Sequence, residues 1–212
     1  MFRLVSTLAM LVVLTVACTS NPSAAPLAPL GTSSPSPTGN LASSGPPSPS
    51  PTPRPAVEFA DGTYTVGVDL AAGTYRLREP APACHWARVS GFGGTLADDI
   101  AFANVTGFAV VEISPTDKGF RSEQCGTWSS DLSAVIPGPP FGDGTYIVGA
   151  DLQPGTFRSD GTGQCLWQRL SGFGGTLDEV VDGEVVSGPA TATIQPGDVG
   201  FRAFGCGTWN PD

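Results

Sequence analysis

The chain contains the same sequence twice, in blocks that recur in the same order. The matched blocks are Asp61–Arg76 with Asp143–Arg158, Cys84–Leu96 with Cys165–Leu177, Gly119–Arg121 with Gly200–Arg202, and Cys125–Trp128 with Cys206–Trp209. Self-similarity of this kind marks a structural unit that the chain uses more than once. The fold must therefore be one that a copy of roughly 70 residues can adopt, which leaves room for only a modest core.

Each copy has the residue pattern of β structure. Apolar side chains alternate with Thr, Gly and Asp from Tyr64 to Leu70, which is the period of a half-buried strand. The 28 Gly, the 21 Pro and the low charged fraction of 14% favour turns over long helices. We predict an all-β fold of two tandem, small sandwich or barrel-like domains with about six strands each. Short helical turns are expected only within 96–103 and 177–185.

Four cysteines are placed identically in the two copies. Cys84 and Cys125 are as far apart along the chain as Cys165 and Cys206. Equal spacing predicts one disulfide inside each repeat, and a small domain gains much of its stability from such a bond. A zinc site is the alternative, but the chain has no Cys-x-x-Cys and a single histidine, His85. We therefore predict no metal.

The fifth cysteine follows an export signal. Met1-Phe2-Arg3 is a short basic start, and the apolar run from Leu4 to Ala17 is too short to span a bilayer comfortably. Leu14-Thr15-Val16-Ala17-Cys18 resembles the lipobox of bacterial lipoproteins, which implies cleavage before Cys18 and lipid attachment to its sulfur. An ordinary signal peptide cut near Ala17, leaving a free thiol, is the alternative. The lipobox predicts an extracytoplasmic protein anchored to the bacterial cell membrane by its N-terminal lipid.

A Pro-, Ser- and Thr-rich segment separates Cys18 from the first repeat. It has too little apolar side chain to offset the entropy of ordering, so we predict a disordered stalk. The predicted organisation is a signal peptide (1–17), an anchored linker (18–57), a first β-domain (58–131), a short linker (132–141) and a second β-domain (142–212).

The charge balance excludes one class of partner. The chain has 10 Lys and Arg against 19 Asp and Glu, a net charge of -9. Nucleic-acid binding requires clustered basic residues, so we expect no nucleic-acid partner. Anionic lipid is not attracted electrostatically either, so membrane contact is assigned to the lipid on Cys18.

The motif DGTYxVGxDLxPGTYR … CxWxRLSGFGG … GFRxxxCGTW resembles a repeat of secreted proteins and lipoproteins from actinobacteria and related bacteria. The resemblance covers both copies. It implies an extracytoplasmic location and a modular build, and it implies no activity. The first copy departs from the motif at Ala72, where the second has Pro154.

Matched aromatic and basic residues are the candidate ligand contacts. Tryptophan offers a flat face and an N–H donor for stacking sugar rings, although packing against the disulfide in a core is the alternative. Two phenylalanines lie in Gly-rich loops, either exposed to a ligand or buried beneath a neighbouring loop. The candidates are Trp86, Trp128, Trp167, Trp209, Phe92, Phe173, Arg88 and Arg169.

No catalytic residues are predicted. The Ser-Gly-Phe-Gly-Gly loop lacks the lysine of a phosphate-binding loop and does not match a nucleophile elbow, and Leu166 replaces His85 in the second copy. We expect a surface-displayed, non-catalytic binding or adhesion module without a cofactor, for envelope glycan, peptidoglycan or protein, with avidity from two copies. The alternatives are a structural envelope lipoprotein without a ligand and, third, a hydrolase of envelope polymers.

Overall fold

The computed structural model describes residues 55–212, and its regular structure is β apart from two 3-10 turns. The predicted signal peptide, Cys18 and nearly all of the 18–57 linker lie outside the described residues. The first half of this part, called repeat 1, contains β1 (Glu58–Phe59), β2 (Gly62–Thr65), β3 (Gly73–Leu77), β4 (Ala81–Val89), a 3-10 turn (Leu96–Asp98), β5 (Asp99–Gly107), β6 (Val110–Ile113), β7 (Gly119–Glu123) and β8 (Trp128–Ser129).

The second half, called repeat 2, begins at Phe141 and repeats this order. Its elements are β9 (Gly144–Ile147), β10 (Gly155–Ser159), β11 (Gln164–Leu170), a 3-10 turn (Leu177–Glu179), β12 (Val180–Ser187), β13 (Thr191–Ile194), β14 (Gly200–Phe204) and β15 (Trp209–Pro211). Each strand of repeat 2 occupies the place of one in repeat 1. The pairing of β1 with β8 is reduced to an isolated bridge between Phe141 and Trp209.

Two antiparallel sheets pack face to face in each repeat. Repeat 1 has the sheets β2-β7-β4-β5 and β1-β8-β3-β6, and repeat 2 has β9-β14-β11-β12 and β13-β10-β15. Alternate residues of each strand point into the space between the sheets, where they form one core per repeat. The all-β prediction is confirmed, and each domain is a sandwich.

The strand count exceeds the prediction. Eight strands form in repeat 1 and seven in repeat 2, partly because β5 and β12 occupy most of the segments in which helical turns were expected. Only the three-residue turns Leu96–Asp98 and Leu177–Glu179 are helical there. Ile100, Ala101, Phe102 and Ala103 hide the strand period, because apolar residues fall on both faces of β5.

One disulfide closes each repeat, as predicted. Cys84 in β4 is bonded to Cys125 just after β7, and Cys165 is bonded to Cys206 at the same places in repeat 2. All four cysteines are buried within the two core clusters. Each bond therefore links two neighbouring strands of one sheet, β4 and β7 in repeat 1 and β11 and β14 in repeat 2.

The two repeats pack against each other. The described residues, 55–212, belong to one compact unit, and the loop after β11 of repeat 2 lies against β4 and β6 of repeat 1. The backbone N–H of Glu112 donates to the carbonyl of Phe173 at 2.8 Å, and that of Thr145 donates to the carbonyl of Phe108 at 2.7 Å. Phe173 also shares a small buried cluster with Val110 and Leu170.

Candidate functional site

The four tryptophans are part of the core and do not form a surface platform. Trp128 and Trp209 are completely buried, and Trp86 and Trp167 are only 2% and 6% exposed to solvent. Trp128 stacks on Phe59 with an interplanar angle of 13°, and Trp209 stacks on Phe141 at 7°. The expectation that these rings contact a ligand is therefore wrong, because neighbouring aromatic rings of the core cover them.

Arg88 and Arg169 are structural as well. Each donates from Nε and Nη2 to both oxygens of one aspartate, Asp117 or Asp198, at 2.7 and 2.9 Å. The hydrogen bond that Arg88 donates to Asp117 raises the pKa of Arg88 above its ordinary value. Two of the three guanidinium nitrogens of each arginine are therefore occupied by a carboxylate. The prediction that Arg88 and Arg169 bind a ligand is wrong.

The remaining Nη1 of Arg88 reaches across to the other repeat. It donates to the carbonyl of Gly174 at 2.7 Å, within the Gly-rich loop of repeat 2. The loop can approach this closely because Gly175 has no side chain. A Cβ at Gly175 would lie 2.6 Å from the ring of Trp86.

The two loop phenylalanines differ in exposure. Phe173 is 7% exposed because repeat 1 covers it, which is the buried alternative of the prediction. Phe92, at the matching position, is 54% exposed. Each ring lies over a glycine of the neighbouring strand, Gly119 or Gly200, where an added Cβ would collide with it. Phe92 is thus the one predicted aromatic contact that the structure leaves accessible.

A small cavity lies at the junction of the repeats. Its lining includes Trp86 and Val110 of repeat 1 and Thr145, Phe173 and Arg202 of repeat 2, and it holds about 20 Å³. That is space for about one water molecule, so the cavity is too small for an organic ligand. Burial lowers the pKa of Arg202 there, and its guanidinium bonds to Oε1 of Gln168.

A larger, open groove lies on the surface of the same junction, and we call it the junction groove. It measures about 450 Å³ and is lined by Leu96, Asp99, Ile100, Ala101, Phe102, Gly175, Thr176 and Leu177. Leu96 and Leu177 are 85% and 87% exposed, and Phe102 is 54% exposed. Exposed apolar side chains gathered in one place are typical of a binding surface. Both 3-10 turns contribute a leucine, so the groove requires both repeats.

Polar side chains stand beside Phe102 on the outer face of β4 and β5. Nδ1 of His85 lies 3.0 Å from Oδ1 of Asn104, and the rings of His85 and Phe102 are 6.3 Å apart. Repeat 2 has Leu166, Gly183 and Val185 at the corresponding positions, as the strand pairing shows. The combination of an aromatic face with amide and imidazole groups is therefore confined to repeat 1.

Sequence reasoning did not identify Phe102, Asn104, Leu96 or Leu177 as site residues. Comparing the two copies position by position singles out Phe102 and Asn104, because repeat 2 has the unlike residues Gly183 and Val185 at their positions. The two leucines carry no such signal, since they match each other in the repeat. Only the packing of repeat 2 onto repeat 1 brings them to one groove.

The charged side chains at the junction groove serve structural contacts. Asp99, its only carboxylate, forms an ion pair with Arg121. Among residues 55–212, no three or more His, Cys, Asp or Glu side chains are placed to hold a metal ion. Within the same range, no helix is long and apolar enough to cross a bilayer.

Comparison with known proteins identifies relatives of each repeat. A family model described as the Rv1352-like extracellular domain matches twice, at residues 57–129 and 138–210. The uncharacterized protein Rv1352 of Mycobacterium tuberculosis (strain H37Rv) is 28% identical over 82 residues, which is 32% of this chain and 67% of that protein. The uncharacterized protein Mb1387 of Mycobacterium bovis matches with the same identity and coverage. No solved structure matches the chain.

Proposed function

Because the chain belongs to the Rv1352-like extracellular domain family, we propose that it is a lipid-anchored, non-catalytic binding module of the bacterial cell envelope. The extracellular location follows from the family. The anchor on Cys18, the binding activity and its ligand are our proposal. In this proposal the lipid holds the protein at the membrane, the linker extends from it, and the fused repeats present the junction groove to the envelope.

The observation that carries the proposal is the position of Phe102. Its ring is exposed in a groove built by both repeats, on a strand that is hydrogen-bonded along its length to β4. His85 and Asn104 place hydrogen-bonding groups beside the ring. An aromatic face flanked by fixed polar groups is suited to a sugar ring, which offers C–H groups on its face and hydroxyls at its edge. An envelope glycan or the glycan strand of peptidoglycan is therefore the proposed ligand.

The geometry favours binding over hydrolysis. A glycosidase needs two carboxylates that flank the scissile bond, and the junction groove offers only Asp99, which is paired with Arg121. Turnover of a glycoside or ester substrate that is lost in the Asp99→Asn variant would support a hydrolase and contradict this part of the proposal.

Binding is tested by a pulldown of the purified chain with insoluble cell-wall material, either intact or stripped of attached polysaccharide. We expect Phe102→Ala to weaken retention at least about tenfold, equivalent to about 1.4 kcal/mol. Phe92→Ala is the matched control, because that ring is equally exposed and does not line the groove. Equal retention of the two variants would reject the groove. Failure to retain the unaltered chain would contradict the glycan proposal and favour the alternative of a structural envelope lipoprotein without a ligand.

The anchor is tested separately in a bacterial host. The chain with Cys18 should incorporate a clickable fatty acid and partition into detergent, whereas Cys18→Ala should do neither. An unlabelled chain that begins at Cys18 would indicate an ordinary signal peptide and remove the lipid from the proposal.

A further inference from the structure

The two repeats are joined head to tail, so each uses a different surface. Repeat 2 contributes Asp151, Phe173 and Gly174, which we call the docking face. Repeat 1 contributes an acceptor that contains Arg76 and Arg88, which bind Asp151 and the carbonyl of Gly174. Val110 of the acceptor packs against Phe173. A head-to-tail contact between two similar units leaves one docking face and one acceptor without a partner.

The docking face of repeat 1 is the unoccupied one. Asp69, Phe92 and Gly93 correspond to Asp151, Phe173 and Gly174 by the sequence repeat. All three are exposed, whereas their three counterparts are buried. The difference in burial measures what repeat 1 covers on repeat 2, because the residue types are the same.

The exposed docking face already has the shape of the docked one. Gly94 has φ +76° and its counterpart Gly175 has φ +80°. The loop is closed by Ser90 N–H to Asp98 O at 2.7 Å, and by the matching bond from Ser171 to Glu179 at 2.8 Å in repeat 2. A surface that needs no rearrangement avoids the entropic cost of ordering when it binds.

The carboxylate of the exposed face is also in place. Oδ2 of Asp69 accepts the backbone N–H of Thr65 at 2.9 Å, as Oδ2 of Asp151 accepts that of Ile147 at 2.7 Å. In both repeats this bond fixes the side chain. Asp69 is therefore oriented to receive an arginine in the way that Asp151 receives Arg76.

The acceptor of repeat 2 has no docked partner, and a carboxylate of repeat 2 itself occupies it. Nη1 of Arg169 donates to Oδ2 of Asp182 at 3.2 Å, at the place where Nη1 of Arg88 binds the carbonyl of Gly174. Asp182 occupies the position of Ala101 in repeat 1, because each pairs with the matching arginine of the neighbouring strand, Arg169 or Arg88. Glu184 and Thr191 likewise replace Ala103 and Val110. A carboxylate thus takes the position of the incoming loop.

We propose that the docking face of repeat 1 binds another Rv1352-like domain whose acceptor has the residues of repeat 1, with arginines at the positions of Arg76 and Arg88 and an apolar residue at that of Val110. Asp182 and Glu184 prevent the chain from binding its own copies. The docked pair inside the chain is the template for the contact. Electrostatics agree, since Asp69 would approach the acidic acceptor of a second copy, and like charges at an interface disfavour association.

The proposal is tested by giving repeat 2 the acceptor residues of repeat 1. Both proteins begin at residue 18 and carry Cys18→Ala, which excludes the lipid. The variant Asp182→Ala/Glu184→Ala/Thr191→Val is compared with the chain that has no other change, called the unaltered chain in this test. We expect sedimentation velocity to detect head-to-tail oligomers of the variant at concentrations at least about tenfold below any self-association of the unaltered chain. Adding Asp69→Asn/Phe92→Ala should return the variant to a monomer. Phe204→Ala, which removes an exposed ring elsewhere, should not.

Each result decides the proposal. A folded variant that stays monomeric would overturn it, and so would oligomers that survive Asp69→Asn/Phe92→Ala. Self-association of the unaltered chain through Phe92 would refute the closing role of Asp182. If the triple variant does not fold, Asp182→Ala alone frees Nη1 of Arg169 at an exposed position, and the same comparison applies. The readout is independent of polymer retention, so failure of the junction groove leaves this test intact.

Discussion

Nη2 of Arg76 donates to both carboxylate oxygens of Asp151, at 3.1 and 2.9 Å, and the two side chains are fully buried. Arg76 lies in repeat 1 and Asp151 in repeat 2. The backbone N–H groups of Val135 and Ile147 also donate to the carboxylate of Asp151, at 2.9 and 2.7 Å. Nη1 of Arg76 donates to the carbonyl of Ser133 at 3.0 Å. One ion pair therefore binds together both repeats and the segment between them.

Removing one partner of this pair should be costly. Arg76→Met leaves a buried carboxylate without its cation, so we expect the free energy of unfolding to fall by about 3–5 kcal/mol. Arg158→Met is the control, because Arg158 is the exposed counterpart in repeat 2 and should cost less than about 0.5 kcal/mol. Urea unfolding followed by tryptophan fluorescence measures both. Equal, small losses would show that the pair does not hold the repeats together.

The two repeats differ in how they satisfy a buried indole. Nε1 of Trp128 donates to Oγ of Ser122 at 3.1 Å, whereas Nε1 of Trp209 has no partner within the described residues because Ala203 occupies the matching position. We expect Ala203→Ser to raise the free energy of unfolding by about 0.5–1.5 kcal/mol. Ser122→Ala should lower it by about 1–3 kcal/mol.

Chemical denaturation of the purified variants tests this pair of changes. The control is Ala192→Ser, a buried Ala→Ser substitution in β13, which β10 separates from the strand of Trp209, and it should destabilise the protein. If Ala203→Ser destabilises to the same extent, the new hydroxyl does not reach the ring.

Loss of one disulfide should destabilise its repeat strongly. Cys84 and Cys125 are 41 residues apart, as are Cys165 and Cys206. A loop of that size predicts a loss of about 4 kcal/mol from the larger entropy of the unfolded chain. Thermal unfolding of Cys84→Ala/Cys125→Ala and of Cys165→Ala/Cys206→Ala should show similar losses. A loss in only one of them would mean that the junction, rather than the bond, limits the stability of the other repeat.

Asp61 should account for part of the loss of folding stability at acid pH. Burial raises the pKa of its carboxyl, but hydrogen bonds from Ser122 and from the backbone N–H groups of Gly126 and Cys125 outweigh that effect and hold the pKa below 3.8. A carboxyl with a lowered pKa in the folded state stabilises the fold above its unfolded-state pKa, and this stabilisation is lost as the pH falls through the folded-state pKa. Asp61→Asn should therefore destabilise the protein at pH 6 and have a smaller effect below pH ~3.

Unfolding curves at several pH values measure this difference. The gap between the unaltered chain and Asp61→Asn should narrow steadily as the solution becomes more acidic. A gap that stays constant from pH 6 to pH ~3 would mean that the hydrogen bonds, rather than the charge, account for the contribution of Asp61.

The sequence was sufficient for the parts of the fold that repeat. The equal spacing of Cys84–Cys125 and Cys165–Cys206 predicted both disulfides, and the alternation around Tyr64–Leu70 predicted β structure. Asp and Arg positions also recur in the two copies, a pattern typical of internal ion pairs. Their partners were not predictable, because Arg76 bonds across the junction to Asp151, whereas Arg88 bonds within its own repeat to Asp117.

The candidate site was predicted poorly for a related reason. Trp86 and Trp128 were considered because aromatic residues often bind sugars, yet their repetition reflects a core that each copy needs. Phe102 was not predicted as a site residue because only the first copy has a phenylalanine at this position. Residues that are the same in both copies indicate what each copy needs in order to fold. Residues that differ indicate the position of a copy in the chain and the groups that it contacts.

The bond between Arg169 and Asp182 bears on chains that contain more than two copies of this domain. On the proposed role of Asp182, an acid at this position would mark a copy whose acceptor has no partner, whereas a small apolar residue such as Ala101 would mark a copy that receives another. In a chain of three or more copies, we expect the acid only in the last one. The order of domains along an assembly could then be deduced from a single column of an alignment.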